Sequence, residues 1–439
     1  MNGLSLLWNA GNKQGVIKVH TGLRDETRCG PLPARDIVVG YLSSEYPAIS
    51  HTFIHREVQA LRARGVSVHT ASIHPPEHRM NAEETAESAR THYIRLTPVW
   101  RLAGGTALRA VREPRAVWRM MRCALGLRRQ APVSWVRLAA YLAEAVELLD
   151  WSERVGVRHV HVHFANPAAT VAMIAAASGK IDFSVTVHGP DVFYDVSGNF
   201  LAEKVRRAKF VRCISYYARS QLMRLIEFDQ WEKIHIVRCG IDTETFRPRP
   251  EPGNDAAQIV CVGRLVPAKA QHLLLQACKT LRERGHKFHL TLIGDGEDRE
   301  SLKTRALQWC MGNCIAFTLG VTPEQVNEHL DRADIMVLPS FAEGLPVVLM
   351  EAMAKEVPCV SSRIMGIPEL IEHEQNGLLT APSDLEDLVA QIERLLVDPE
   401  LRARLGRCAR EKVVGEFKVE ETAERMHALF ELHARNGAP

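Results

Sequence analysis

The sequence predicts an α/β protein made of two consecutive open domains, each a parallel sheet flanked by helices. Three observations carry that prediction. Short apolar runs alternate with helical patterns along most of the chain, the alternation breaks once at a Pro/Gly-rich stretch near the middle, and 439 residues suffice for two separate cores. A hydrophobic content of 46% with 24% charged residues is that of an ordinary globular protein and argues against disorder. A net charge of +3 gives no general case for nucleic acid as a partner.

Residues 1–35 lack sustained periodicity and read as a poorly ordered extension. Organised structure is expected from Asp36, with a strand to Leu42, a helix over Thr52–Arg64 and a strand over Val66–Ala71. Further strands are expected at Val157–Phe164, Ser184–Val187, Phe210–Ile214 and Ile234–Val237, separated by helical segments. The first domain thus runs over residues 36–246, and the Pro-rich run 247–254 reads as the linker. The second domain, 255–417, repeats the pattern with strands at Ile259–Val262, Phe288–Ile293, Cys314–Phe317, Ile335–Leu338 and Cys359–Ser361. A last helix falls within residues 418–436.

Ten cysteines are scattered without a C-x-x-C pair, and several, such as Cys261 and Cys359, sit inside apolar runs. Reduced thiols acting as small hydrophobes, and hence a cytoplasmic location, are expected. No apolar run approaches the ~18 residues needed to span a bilayer, and the N-terminus carries no signal-peptide pattern. The segment 101–139 stands apart: nine arginines against one acid, Glu113, with Trp118 and Trp135 inside it and Trp100 just before it. Such basic amphipathic helices suit an anionic membrane surface, the alternative being a solvated helical face.

The most informative stretch is Ser340 to Met353. An apolar strand enters a short turn ending at Glu343-Gly344, and a helical pattern follows at once with Leu345 and Pro346, which suits a first helical turn. A helix N-terminus at the carboxyl end of a strand favours an anion such as a phosphate. Glu343 and Glu351 frame this start, placed to accept hydrogen bonds from sugar and ribose hydroxyls; equally, Glu343 caps the helix and Glu351 is solvated.

In sequence, Glu343 and Glu351 lie in E-G-L-P-V-V-L-M-E-A-M-A, which resembles the E-x7-E motif of retaining glycosyltransferases of family GT4. Gly263-Arg264-Leu265-Val266-Pro267-Ala268-Lys269 resembles that family's G-R-L-x-x-x-K, and Gly240-Ile241-Asp242 with Phe246 its linker signature. The loop Ser43–Glu57 is similar to that of bacterial exopolysaccharide enzymes of the colanic-acid type. The resemblance implies the GT-B fold, two Rossmann-like domains facing across a cleft, with the last helix packed back on the first domain. It implies that Arg264 and Lys269 stabilise a leaving nucleoside diphosphate, with Gly263, Gly344 and Leu345 beside it. Glu351 would hold the ribose, Glu343 and His188 the sugar, and Gly320 and Val321 the base.

On the acceptor side, Ser50, Thr52, Glu57, His163 and Asp191 are the candidates, although a capped helix start explains Ser50 and Thr52 equally well. His159, His161 and His163 alternate on one strand and read as hydrogen-bonded structural residues rather than a zinc site. His51 and His55 lack the H-E-x-x-H order and read as polar residues near the cleft. No metal and no cofactor beyond the nucleotide-sugar is expected. The chain departs from the resemblance at Glu356 and at Met365-Gly366, where glycine and a Gly-Gly pair are usual.

The function expected is metal-independent, retaining transfer of a sugar from a UDP- or GDP-sugar to a lipid-linked oligosaccharide or polysaccharide in exopolysaccharide biosynthesis, on the inner face of the cytoplasmic membrane. A non-catalytic nucleotide-sugar-binding partner of an assembly complex, or a nucleotide-sugar epimerase of the same fold, is the alternative.

Overall fold

The computed structural model describes residues 37–48, 51–78, 80–249, 256–318 and 322–434. Expectations for residues 1–35, Ser50, Gly320, Val321 and most of the linker fall outside these. The chain from Asp36 onward is one compact unit.

Two all-parallel sheets organise that unit. The first contains β1 (Val38–Glu45), β2 (Ser67–His74), β3 (His92–Tyr93), β4 (His159–His163), β5 (Asp182–Val187), β6 (Val211–Cys213) and β7 (Ile234–Ile236), in the order β3-β2-β1-β4-β5-β6-β7. The second contains β8 (Ala257–Val262), β9 (Phe288–Ile293), β10 (Ile315–Thr318), β11 (Ile335–Leu338), β12 (Cys359–Ser362) and β13 (Leu378–Thr380), in the order β10-β9-β8-β11-β12-β13. The central strands are buried on both faces; in the second sheet this leaves continuous apolar runs at 259–262 and 335–338, whereas β4 alternates His with Val. The strands β3 and β13, two and three residues long, are too short to leave a periodic signal.

In both sheets the order reverses between the first strand and a later one, at β1/β4 and at β8/β11. Tyr41 pairs with His161 at one reversal and Met336 with Val260 at the other. Loops leaving the carboxyl ends of the two strands part there and leave a crevice, the usual ligand position in open α/β sheets. Every residue expected to meet the diphosphate follows β8 or β11.

The last helix, Val419–Ala434, returns to the first sheet. Ala423, Met426 and Phe430, on one helical face, join Tyr41, Ile54, Val58 and Leu61 in a common core. Burial of Phe430 alone contributes roughly 2 kcal/mol.

The two departures from glycine have a backbone signature. Met365 takes φ +43° and Glu356 φ +61°, both left-handed. Glu356 follows the helix Val347–Ala354 and its cap Lys355. Its amide donates to Met353 O and that of Val357 to Ala352 O, each at 3.0 Å, the double closure of a Schellman turn in which glycine is the unstrained residue. Glu356→Gly is therefore expected to stabilise the protein by about 1 kcal/mol, read as a higher urea midpoint with an unchanged denaturant slope.

Candidate functional site

The turn Ser340–Gly344 leaves β11 and docks on the turn that leaves β8, Phe341 N donating to Ala268 O at 2.8 Å. Across this contact Lys269 Nζ bonds Glu343 Oε1, and Ser340 Oγ donates to the same oxygen at 2.8 Å. Glu343 is buried. It therefore does not act as a helix cap; the helix cap position is Pro346, one residue earlier than the first-turn position expected for it. In the first turn Leu349 N donates to Pro346 O at 3.2 Å, and the amides before it lack intrahelical acceptors. Arg264, exposed on the β8 turn, is near enough to His51 of the first domain for its charge to help hold that imidazole down, burial being the larger cause.

Glu351, two turns further on, is not solvated. It is buried, and Arg56 Nη1 of the first-domain helix Thr52–Ala63 lies 2.8 Å from its Oε1. Burial pushes the Glu351 carboxyl above the ordinary range, and Arg56 opposes that. The four residues expected at the diphosphate thus fall into a Lys269–Glu343 pair and two groups, Arg264 and Glu351, that both face the first-domain segment 51–56.

Backbones meet closely beside them. A Cβ on Gly344 would lie 1.9 Å from His188 O, and one on Gly366 2.2 Å from Gly344 O, so three main-chain segments stack where only glycine fits. Glu369 accepts from Tyr216 N at 2.9 Å and Tyr217 N at 3.0 Å, capping a first-domain helix from the second domain. Sequence reasoning missed Arg56, Ser340 and Glu369, which have no local motif to mark them.

On the first-domain side the candidates separate. The His188 ring is turned inward: Nε2 lies 2.9 Å from His163 Nδ1, and Nδ1 3.6 Å from Cys239 Sγ. The part of His188 at the crevice is its carbonyl, against Gly344. Glu57 does not reach the crevice either. It accepts from Tyr41 OH at 2.8 Å and from Arg212 Nη1 at 2.5 Å, with Arg212 fully buried. His163 is wholly buried. Thr52 opens its helix half-buried, and Asp191 is exposed at the start of the short helix Asp191–Tyr194. Arg212, an arginine inside the apolar run 210–214, was the available sign that a buried carboxylate had to exist.

Glu57, His161 and His163 bring potential ligand atoms within 4.8 Å of one another. Two of the three are engaged otherwise: Arg212 holds Glu57, and His161 bonds Ser184 Oγ and Thr186 Oγ1, each at 2.7 Å, while His163 Nε2 lies 3.6 Å from Glu57 Oε1. His159 shares the Ser184 hydroxyl at 2.7 Å. His159 and His161 are thus hydrogen-bonded to hydroxyls of the neighbouring strand.

Beyond β1 and β2 a cavity of about 240 Å³ is lined by Ser44, His74, Arg95, Arg137, Tyr141 and Glu144 among others. The basic segment forms the helices Val99–Arg112 and Pro114–Leu127 and the start of Trp135–Arg154. Eight of its nine arginines are exposed. The exception, Arg109, is buried in ion pairs with Glu113, Asp150 and Glu153. Trp100, Trp118 and Trp135 are also exposed, each with an arginine over its ring, as are Val99, Val111 and Val136. Among the described residues no helix is long and apolar enough to cross a membrane.

Two Rossmann-like sheets whose reversal points face one crevice, with a lysine–glutamate pair at its floor, define the class of GT-B proteins. The chain belongs to the glycosyltransferases: residues 50–245 match the model "Glycosyltransferase Family 4" and residues 242–412 the model "Glycosyl transferases group 1". It is similar to the amylovoran biosynthesis glycosyltransferase AmsK of Erwinia amylovora, 36% identical over 42% of this chain and 47% of that protein. The chain thus spans about half the length of AmsK. It is 26% identical to the putative colanic acid biosynthesis glycosyltransferase WcaL of Salmonella typhimurium, over 90% of this chain and 99% of that one. In fold it resembles Anabaena HepE, solved with UDP-glucose, at a TM-score of 0.69 and 16% identity over 90% of this chain and 99% of that one.

Protons report on the histidine core. Burial, first of all, lowers His51 to about 4 and His159 to about 3 from 6.5. The unfolded chain binds protons at these sites below about pH 6.5 while the folded one does not, so the stability they contribute is complete above that pH and is lost as pH falls towards 4 and 3. Going from pH 7 to pH 5 is expected to cost on the order of 2 kcal/mol for each such histidine, read from urea unfolding. In His159→Gln the pH slope becomes shallower.

Proposed function

We propose that the chain is a retaining, metal-independent glycosyltransferase that moves a sugar from a UDP- or GDP-sugar to a lipid-linked oligosaccharide or polysaccharide acceptor in exopolysaccharide biosynthesis. The observation that carries this is the Lys269–Glu343–Ser340 group at the β8/β11 reversal, beside a helix start and closed over by the first domain. AmsK and WcaL supply the pathway and HepE the nucleotide-sugar by analogy.

Lys269, Arg264 and the amides after Gly344 meet the diphosphate, so that charge developing on it as the anomeric C–O bond breaks is balanced by fixed cations and dipoles. Until then Glu343 neutralises Lys269; with donor bound, Glu343 is released to a sugar hydroxyl. Glu351 accepts from the ribose. His188 forms the opposite wall through its carbonyl. The acceptor hydroxyl attacks on the face the diphosphate leaves, its proton passing to the departing phosphate oxygen, which retains the anomeric configuration. This route is preferred because, among the described residues, no well-placed side-chain nucleophile is evident. The arginine–tryptophan face of residues 99–136 rests on the anionic inner membrane.

Two measurements test this. Lys269→Ala and Glu343→Ala are each expected to lower sugar transfer by about 10²–10³-fold, with thermal stabilisation by UDP- or GDP-sugars reduced in Lys269→Ala; unchanged transfer refutes the assignment. Reversing Arg115, Arg119 and Arg122 to glutamate is expected to weaken flotation with anionic vesicles by more than about 100-fold and to leave folding intact; unchanged flotation removes the membrane.

A further inference from the structure

Arg56 stands where the two halves of the molecule and the hinge meet. It projects from the first-domain helix Thr52–Ala63 onto Glu351, a residue of the second-domain helix Val347–Ala354. Its guanidinium carbon also lies 5.3 Å from the centre of the Phe246 ring, at the end of the segment that joins the domains. Asp242, earlier in that segment, lies within reach of its charge, though its carboxylate is already occupied by Thr245 Oγ1 and the amides of Glu244 and Thr245. One guanidinium therefore touches the front helix, the hinge and the rear helix at once.

We propose that Arg56 is a positioning residue for the donor nucleotide: it orients the Glu351 carboxylate for the ribose hydroxyls and couples donor binding to the seating of the front helix on the rear domain. This rests on the donor site assigned above. The geometry suits it, because Arg56 engages Oε1 of Glu351, and the second carboxylate oxygen, Oε2, has lone pairs to accept from a hydroxyl. Burial works against ionisation of Glu351, and Arg56 is the charge that works for it. An isolated carboxylate at that depth would turn to find a neutral partner, or take up a proton and lose half of its accepting capacity. Arg56 reaches Glu351 only while the front helix is in place, so a ribose that needs Glu351 in this posture binds the closed arrangement better than an open one. A ligand shifts such an equilibrium by its differential affinity for the two states. The opposite role, a latch that blocks Glu351 and must release before the donor enters, predicts the opposite sign.

UDP and GDP titrated calorimetrically into the full-length protein separate these cases. Arg56→Met, which keeps the stem against Phe246, is expected to weaken whichever nucleotide the unaltered protein binds by about tenfold, the weight of one charge-assisted hydrogen bond. The donor KM rises by the same factor while kcat stays within about twofold, and Arg56→Lys recovers part of the loss. In a Glu351→Gln background the Arg56→Met change adds nothing, since it acts through Glu351. Equal or tighter nucleotide binding by Arg56→Met and Arg56→Lys, or an undiminished loss in the Glu351→Gln background, overturns the proposal while the donor site stands. Failure of the unaltered protein to bind either nucleotide overturns the donor site, and this inference with it.

Discussion

The arrangement of the first domain depends on one buried ion pair, Glu57 with Arg212. Arg212 is fully enclosed; burial works against its charge, and Glu57 with Cys239 and Tyr41 together more than restore it. The guanidinium also donates from Nε to Val237 O at 2.8 Å and from Nη2 to Arg238 O at 3.1 Å, while Tyr41 OH bonds the other oxygen of Glu57. These contacts tie together the helix Thr52–Ala63, β1, β6 and the chain leaving β7. Such a pair adds little net stability against an apolar replacement, yet losing one partner strands a charge in the core at a cost of about 3–5 kcal/mol. Its effect is positional. With Glu57 pinned, the helix cannot rotate, and Arg56 is committed to the rear domain.

The charges at the crevice are balanced within the fold. Lys269 and Glu343 neutralise each other, and Glu351 takes its counter-charge from across the crevice. Neither pair is exposed enough to be a screened surface contact nor deep enough to be inert. On the function proposed above, a diphosphate would bring negative charge that competes with Glu343 for Lys269, so that binding would be an exchange of partners rather than the filling of a void. The gain is the difference between two sets of charge-assisted contacts, and selectivity follows from how well the entering anion matches the fixed cation and amides.

What the sequence disclosed and what it withheld divide along physical lines. Strands buried on both faces announced themselves, since nothing polar interrupts 259–262 or 335–338; β3, with only His92 and Tyr93, had no pattern to offer. Lys269 and Glu343, 74 positions apart, are paired only by the fold, and resemblance to a family, not spacing, brought them to notice. Neighbours on the helix Thr52–Ala63 show the limit most plainly. Arg56 and Glu57 differ by one position, about 100° around the axis, which turns the arginine to the crevice and the glutamate to the core. Without knowing which face is covered, nothing separates a cleft residue from a buried counter-ion. Arg109 was read with the basic face for the same reason: Asp150 and Glu153 belong to another helix, so their claim on it is invisible in a local count.

The histidine strand shows why a polar core was retained beside the site. His159 and His161 both bond the Ser184 hydroxyl, which has one proton to give and so must donate to one ring and accept from the other. His161 continues to Thr186, and His163 to His188. In the β4/β5 pairing His161 stands opposite Ser184 and His163 opposite Thr186. Apolar strands of similar residues tolerate a slip in register; this ladder does not, because moving by one residue would turn every imidazole to the other face and leave its hydroxyl partners unmet. The register of β5 sets where its carboxyl end stops, one residue before His188. The place of the His188 carbonyl against Gly344, and so the closeness of the two domains at the crevice, follows from hydrogen bonds made deep in the first sheet.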